Sequence, residues 1–207
     1  MPTFKSMSRL MVGLFIYGLA LAMVIKAHIG VPPWDVFAQG LSHTFGITYG
    51  QASIVVSLIV LVAWIPLKVK PGIGSILNAI CIGLFADLWM PYIPEFDNYF
   101  ANLAMFMLGT ATVAFATGLY ISAKLGSGPR DGLMLGTQKV LKWPFWAVRT
   151  MYEATVLTIG WLLGGQVRES TLIFAITIGY LMQASLRLFK IETKGKTAAP
   201  VVAEVEG

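Results

Sequence analysis

The chain has 207 residues, of which 57% are hydrophobic and only 12% are charged, about half the charged fraction of an ordinary soluble domain. Its net charge is +5, but the basic residues lie between apolar blocks, which excludes a basic nucleic-acid-binding surface and favours a role in membrane orientation. The single cysteine, Cys81, lies within an apolar block, so a disulfide framework and a CxxC metal site are excluded.

Six blocks of mostly apolar residues are long enough to cross a bilayer as helices, for which about 20 residues are needed. In chain order, the predicted spans are residues 10–28, 49–67, 72–91, 102–123, 145–164 and 170–189. Residues 1–9 precede the first span, and residues 94–101 connect the third to the fourth. Residues 190–207 form a tail of mixed charge that we expect to be disordered. The sequence therefore predicts an all-α polytopic membrane protein.

Two further segments, residues 33–45 and 130–141, have a helical pattern but are short and polar. A helix of about a dozen residues is roughly 18 Å long and cannot cross a hydrocarbon core of about 30 Å. We therefore expect two half-helices, either re-entrant or interfacial, each following the first span of its half of the chain.

The lysines and arginines outside the predicted spans fall mostly on one side of the membrane. If residues 1–9 are cytoplasmic, the opposite side holds only Lys26 and Arg168, together with an acidic connection. Cytoplasmic connections carry the excess of basic residues in membrane proteins. We therefore expect both termini to lie in the cytoplasm.

The second half of the chain repeats the first at an offset of 96 residues, without a gap. Between residues 10–93 and 106–189, 16 of 84 aligned pairs are identical, against roughly six or seven expected from membrane composition. The repeats, residues 10–93 and 102–189, hold three predicted spans each. Because three is odd, the second repeat would enter the membrane from the opposite side, giving an inverted-topology repeat. If the half-helices crossed fully, each half would have four spans and the repeats would be parallel, which their polarity disfavours.

The best-preserved element of the repeat is GVPPWD at residues 30–35, matched by GSGPRD at 126–131. Helix capping alone could explain it, since glycine permits a left-handed turn, proline suits a first helical turn and aspartate complements the helix dipole. Alternatively the motif is a binding site, because helix breaks in inverted-repeat transporters present helix ends to ions and charged substrates. On that hypothesis the substrate-binding candidates are Gly30, Pro33, Trp34, Asp35, Gly126, Gly128, Pro129, Arg130 and Asp131.

Glu153 lies inside the fifth predicted span, roughly 12 Å from its start at 1.5 Å per residue. A charge at that depth is costly and usually faces a cavity or a partner. Arg149 is four residues earlier, so an ion pair on the helix surface is one explanation. The other is that Glu153 and Arg149 couple transport to protons or ions. The histidine and carboxylate spacing indicates neither a metal site nor a cofactor.

The run ALAMVIKAHIGVPPWDVFAQGL and its counterpart GLYISAKLGSGPRDGLMLGTQK resemble the YczE/YitT-like bacterial integral membrane proteins. The resemblance covers about residues 10–190, and GxGPRDGLM is its most specific part. It implies a protein of the bacterial inner membrane, in a family often treated as candidate transporters, and it supplies no substrate.

Three classes of function are compatible with these features. The leading hypothesis is a small secondary transporter or exporter of a small molecule or ion, working by alternating access of the two repeats. The second is a substrate-binding membrane subunit that depends on partner ATPase and coupling subunits, since the chain contains no Walker motif. The third is a membrane enzyme or an accessory protein. We expect no catalytic activity, because no nucleophile–base pair or paired carboxylates stand out. Lipid and substrate are the expected partners, and a homodimer is compatible with so few spans.

Overall fold

The structure, a computed structural model, describes residues 3–191, and within that range it contains helices and turns without strands. The expected disordered tail lies, from residue 192 onward, outside the described residues. The helices are α1 (Phe4–Lys26), α2 (Pro33–Phe45), α3 (Tyr49–Val62), α4 (Ile73–Trp89), α5 (Tyr99–Ile121), α6 (Pro129–Leu141), α7 (Phe145–Leu162) and α8 (Glu169–Leu188), and a 3₁₀ turn, Met90–Tyr92, extends α4.

Four of the six predicted spans are helices long and apolar enough to cross a membrane, namely α1, α4 with its 3₁₀ turn, α5 and α8. Their outer faces are apolar as well. On α8, Leu172, Ile176 and Tyr180 recur every four residues and are 66%, 60% and 76% exposed, which is typical of a surface that faces lipid. These helices support a membrane location for the chain.

The other two predicted spans are not independent crossing helices. The span at residues 49–67 ends as the helix α3 at Val62, and turns occupy residues 63–68. At 14 residues, α3 reaches only about 21 Å, and it qualifies as a crossing only together with α2, from which it is bent by 116°. The span at residues 145–164 is α7, whose hydropathy is lowered by Arg149 and Glu153. By length and composition, the described part of the chain therefore contains four helices that could cross a membrane and one bent pair that could form a fifth crossing, in place of the six predicted spans.

The half-helices are where the sequence predicts them, and they match each other in register. α2 begins at residue 33 and α6 at 129, α3 at 49 and α7 at 145, and α4 at 73 and α8 at 169. Each difference is 96 residues (129 − 33, 145 − 49 and 169 − 73). The 96-residue repeat of the sequence is therefore also a repeat of helix boundaries.

Where α1 packs against α5, each half contributes the same residue positions to the contacts. Gly13 of α1 packs against the backbone of Tyr120 on α5, and its equivalent Gly109 packs against Val24, which is the equivalent of Tyr120 on α1. Since low residue numbers on one helix meet high numbers on the other, α1 and α5 run antiparallel at the centre of the molecule. Such an exchange of partners is the pattern that a pseudo-two-fold axis between two halves produces.

Two backbone hydrogen bonds between the halves also join equivalent positions. The N–H of Gly74, in the first turn of α4, donates to the carbonyl of Leu125 at 2.8 Å, and the equivalent N–H of Ser170 donates to the carbonyl of Ile29 at 3.3 Å. The loop that follows the first helix of each half is therefore fastened to the last helix of the other half. These bonds satisfy backbone groups that the helix break would otherwise leave free.

Within residues 3–191, the interface between α3 and α4 has no counterpart between the equivalent helices α7 and α8. α3 and α4 pack closely where Gly50 meets Gly83, and Asp87 of α4 accepts hydrogen bonds from the Gly50 N–H at 2.8 Å and from the Thr48 hydroxyl. Among the described residues, α7 and α8 form no comparable interface. Gly179, the equivalent of Gly83, has open space where a Cβ would lie.

This difference predicts unequal effects of the same substitution at equivalent glycines. A Cβ at Gly83 would lie 2.8 Å from Ile54 Cγ1, so Gly83→Leu should destabilise the protein by about 2 kcal/mol, or roughly 4–8 °C in Tm for a chain of this size. Gly179→Leu has the same gain in helix propensity without the clash, and its Tm should equal or exceed that of the wild type. Thermal unfolding of the detergent-solubilised variants measures both, and equal losses would contradict the asymmetry.

Candidate functional site

The two helix breaks meet inside the molecule at an ion pair. Asp35, in the first turn of α2, is 2% exposed and accepts a hydrogen bond at 2.9 Å from Arg130 Nη2, in the first turn of α6. The same carboxylate oxygen accepts a second bond at 2.9 Å from the Tyr49 hydroxyl on α3. A buried charge is tolerated when it is paired and hydrogen-bonded in this way.

Arg130 also contacts its own repeat equivalent. Its Cζ lies 5.4 Å from the centroid of the Trp34 ring, a distance at which a guanidinium is attracted to an aromatic face. The start of α6 is held in place from the other side, because the Trp64 Nε1–H donates to the carbonyl of Pro129 at 3.0 Å. Trp34 and Arg130 are equivalent positions, so the two halves contact each other here through the same position of the repeat.

A cavity of about 1000 Å³, including the part that opens to solvent, surrounds this point. Its lining comes from both halves and consists largely of equivalent positions. The equivalent pairs that both line it are Tyr17 and Val113, Leu21 and Thr117, Pro32 and Gly128, Pro33 and Pro129, Trp34 and Arg130, Asp35 and Asp131, Ser53 and Arg149, Ser57 and Glu153, Asn78 and Phe174, and Ile82 and Ile178.

The charges in the cavity are distributed unequally between the halves. Asp35 is the one charged lining residue from the first half, whereas the second half contributes Arg130, Asp131, Arg149 and Glu153. Arg149 Nε donates to Glu153 Oε1 at 2.9 Å along α7, so the expected helix-surface ion pair is present and faces the cavity. Within the described part of the chain, Asp131 has no salt-bridge partner.

The structure gathers nine of the eleven residues proposed from the sequence around one cavity. The two exceptions are the glycines that begin the motifs. Gly30 packs against Arg168 and the Ser170 hydroxyl at the start of α8, and Gly126 packs against Gly72 and the Ser75 hydroxyl at the start of α4. Their positive φ angles, 113° and 132°, and these close approaches give them a role in joining the halves.

The capping explanation of the motif needs one correction. The left-handed residues that end α1 and α5 are His28 (φ 54°) and Lys124 (φ 54°), two positions before the glycines. Sequence reasoning missed them because neither is glycine or asparagine, the residues that favour this conformation. The aspartates do lie in the first turns of α2 and α6, as the capping explanation requires.

Several cavity residues were not proposed from the sequence. Tyr17, Ser53, Ser57, Asn78 and Tyr120 all line the cavity, and each is polar within a long apolar helix. The repeat alignment could have indicated two of them, since Ser53 aligns with Arg149 and Ser57 with Glu153, which were both proposed. The tyrosines and Asn78 align with apolar residues and carry no comparable clue.

Metal binding is not supported at this site. Among residues 3–191, no group of three or more histidine, cysteine, aspartate or glutamate side chains is placed to hold a metal ion. The carboxylates that line the cavity have arginine side chains among them, and arginine is not a metal ligand.

Comparisons with known proteins agree with a membrane location. A family model described as a family of unknown function (DUF6198) matches residues 4–187. The chain is 36% identical over 171 residues to the uncharacterized membrane protein YczE of Bacillus subtilis, covering 82% of this chain and 79% of that protein. It is 33% identical over 185 residues to an uncharacterized protein of Haemophilus influenzae, covering 89% and 85% respectively. No solved structure matches the chain.

The equivalent aspartates Asp35 and Asp131 have different surroundings, and this difference predicts unequal effects of the same substitution on stability. Asp35→Asn leaves the buried part of Arg130 without its counter-charge and should cost about 3 kcal/mol, the low end for a buried pair, because the Arg130 side chain is 25% exposed. Asp131→Asn breaks no ion pair and should change stability by less than about 0.5 kcal/mol. Chemical or thermal unfolding in detergent compares the two, and a larger loss for Asp131→Asn would contradict the charge pairing described above.

Proposed function

This chain belongs to the DUF6198 family of YczE-like membrane proteins, in agreement with the resemblance of its two motifs, and we propose that it is a secondary transporter or exporter. Its substrate would be a small molecule or ion, moved by alternating access of two inverted repeats. The observation that carries the proposal is the unequal packing of two equivalent helix pairs around one central cavity.

In alternating access, each repeat adopts in turn the conformation of the other, so a single state should show one repeat closed and the other open. The α3–α4 pair is closed by Gly50, Gly83 and Asp87, whereas the equivalent α7–α8 pair is apart. Phe174, Ile178 and Met182 of α8, and Arg149 and Glu153 of α7, line the cavity between them. We take this as one of two states related by the pseudo-two-fold axis.

The antiparallel course of α1 and α5 supports inverted topology for the repeats. In this arrangement α1 and α4 cross in one direction, and α5 and α8 cross in the other. The bent pair α2–α3, and its equivalent α6–α7, would complete the return crossing of each repeat, giving six passes. Non-helical backbone at membrane depth is tolerated where protein or a wet cavity covers it, as it is at these two breaks.

The charge bias of the connections orients this arrangement. With both termini in the cytoplasm of a bacterial cell, the amino-terminal end of α7 and the carboxy-terminal end of α8 lie on the cytoplasmic side of the inner membrane. The open pair would then give the cavity access from the cytoplasm. Thr48, Gly50 and Asp87 would seal the opposite side in this state.

In this proposal the ion pair between Asp35 and Arg130 joins the moving halves, and Arg149 and Glu153 form a second pair close to the open side. A substrate that enters between α7 and α8 would meet polar groups from both repeats. Neither histidine of the chain lines the cavity, and we propose transport without a chemical step.

Cysteine pairs at equivalent positions test alternating access. In a Cys81→Ser background, Thr48→Cys with Asp87→Cys places thiols where the two side chains hydrogen-bond, and this pair should cross-link readily in membrane vesicles. Pro144→Cys with Gln183→Cys occupies the equivalent positions and should cross-link only when the other state is visited. Mass spectrometry of the cross-linked peptides measures both pairs.

The transport assay uses the same variants in liposomes with a pH or ion gradient and a panel of metabolites. The locked Thr48→Cys, Asp87→Cys protein should lose flux, and a reductant should restore it. Undiminished flux through the locked protein, or no flux of any compound through the thiol-free protein, would argue against the proposal.

A further inference from the structure

We infer that the cavity binds the ammonium group of its ligand at Asp131, with the apolar part of the ligand against the aromatic and methionine walls. This inference deepens the transporter proposal by assigning a ligand class to its cavity. Three features of the lining favour this ligand: the balance of charge, the convergence of polar groups at Gly128, and two serine hydroxyls that face the cavity.

Charge balance favours a cation. Asp35 with Arg130, and Arg149 with Glu153, form two pairs at 2.9 Å, which leaves Asp131 as the one acidic lining residue without a salt-bridge partner in the described part of the chain. An anionic ligand would be repelled unless it displaced a carboxylate from an arginine. A cation neutralises the cavity without breaking either pair, and intramembrane charges are usually compensated in this way.

Polar groups converge beside Asp131 at a residue without a side chain. A Cβ built on Gly128 would lie 3.1 Å from Tyr120 Oη, 3.4 Å from Asp131 Oδ2 and 3.7 Å from Asn78 Nδ2. Groups from α4, α5 and α6 therefore surround one small space. An ammonium group has three N–H donors and no acceptor, and the Asp131 carboxylate and the Tyr120 phenol oxygen can each accept a hydrogen bond from it.

Two buried hydroxyls point independently to a ligand with a polar group. Ser53 and Ser57, one turn apart on α3, are 4% and 8% exposed and line the cavity. Neither side chain forms a hydrogen bond with any other described residue. Both hydroxyls line the cavity without a partner in the described part of the protein, so they can form hydrogen bonds with a polar group of a ligand.

The rest of the lining suits an apolar body attached to the ammonium group. Tyr17, Phe174, Met134 and Met182 line the cavity, and aromatic faces attract cations as well as apolar groups. The equivalent carboxylate, Asp35, already has an arginine partner, so the repeat supplies one free anionic position and not two. The cavity therefore fits a monovalent amine with an aromatic or aliphatic body.

Calorimetric binding to the full chain in detergent tests this assignment, with protonated phenethylamine as the probe. Neutral 2-phenylethanol and anionic 3-phenylpropanoate have the same ring and serve as matched ligands. Phenethylamine should bind, and both controls should bind at least tenfold more weakly. Asp131→Asn should weaken phenethylamine binding at least tenfold, whereas Asp97→Asn, at an exposed carboxylate in the outer connection, should leave it unchanged.

A second variant tests the same site by filling the space beside Asp131 and leaving its charge unchanged. Gly128→Ala places a methyl group among Tyr120, Asp131 and Asn78, and should weaken amine binding while all charges are retained. Tm values within a few degrees of the wild type show that both variants are folded. Binding that is equal for amine and alcohol, or unchanged in Asp131→Asn, overturns the inference.

The ammonium group could belong to a soluble amine or to a lipid headgroup. Short-chain phosphatidylethanolamine and phosphatidylglycerol, titrated in parallel with phenethylamine, distinguish these sources. Asp131-dependent binding of either amine supports the site and identifies the source, and binding of neither overturns it. Because binding at equilibrium needs no gradient, amine binding without flux would retain the site while rejecting the transporter proposal.

Discussion

A helix that breaks within a membrane leaves backbone N–H and carbonyl groups that lipid cannot satisfy. In this chain the two helix breaks, between α1 and α2 and between α5 and α6, lie together, so that each is covered by the other half of the molecule. The ion pair between Asp35 and Arg130 joins them, and the bonds from Gly74 to Leu125 and from Ser170 to Ile29 secure the loops on either side. The cavity and the exchange of contacts between the halves depend on this arrangement.

The scaffold is nearly symmetric, but the chemistry that it presents is not. Equivalent positions line the cavity in pairs, yet Ser53 is matched by Arg149 and Ser57 by Glu153, so one wall carries hydroxyls and the other carries an ion pair. In the proposed transporter, these unlike side chains would give the cavity a direction, because a ligand would meet different groups at its two ends.

The sequence was most informative where local physics decides the structure. Proline and polar residues marked α2 and α6, and the spacing of Arg149 and Glu153 indicated their ion pair. Hydropathy overestimated α3, because apolar residues continue past Val62 into turns, and it could not reveal the 116° bend between α2 and α3. The pairing of Asp35 with Arg130 joins residues 95 positions apart, and no local pattern indicates which of two equivalent aspartates receives the arginine.

The contact between Trp34 and Arg130 shows what a fused repeat makes possible. In a dimer of identical chains, a residue on the two-fold axis meets its own copy, so a tryptophan would face a tryptophan and an arginine would face an arginine across a low-dielectric interior. Joining the halves in one chain removes that restriction and allows an aromatic ring to stack on a cation at the axis. Two separately encoded half-size subunits could recreate this site only as a heterodimer.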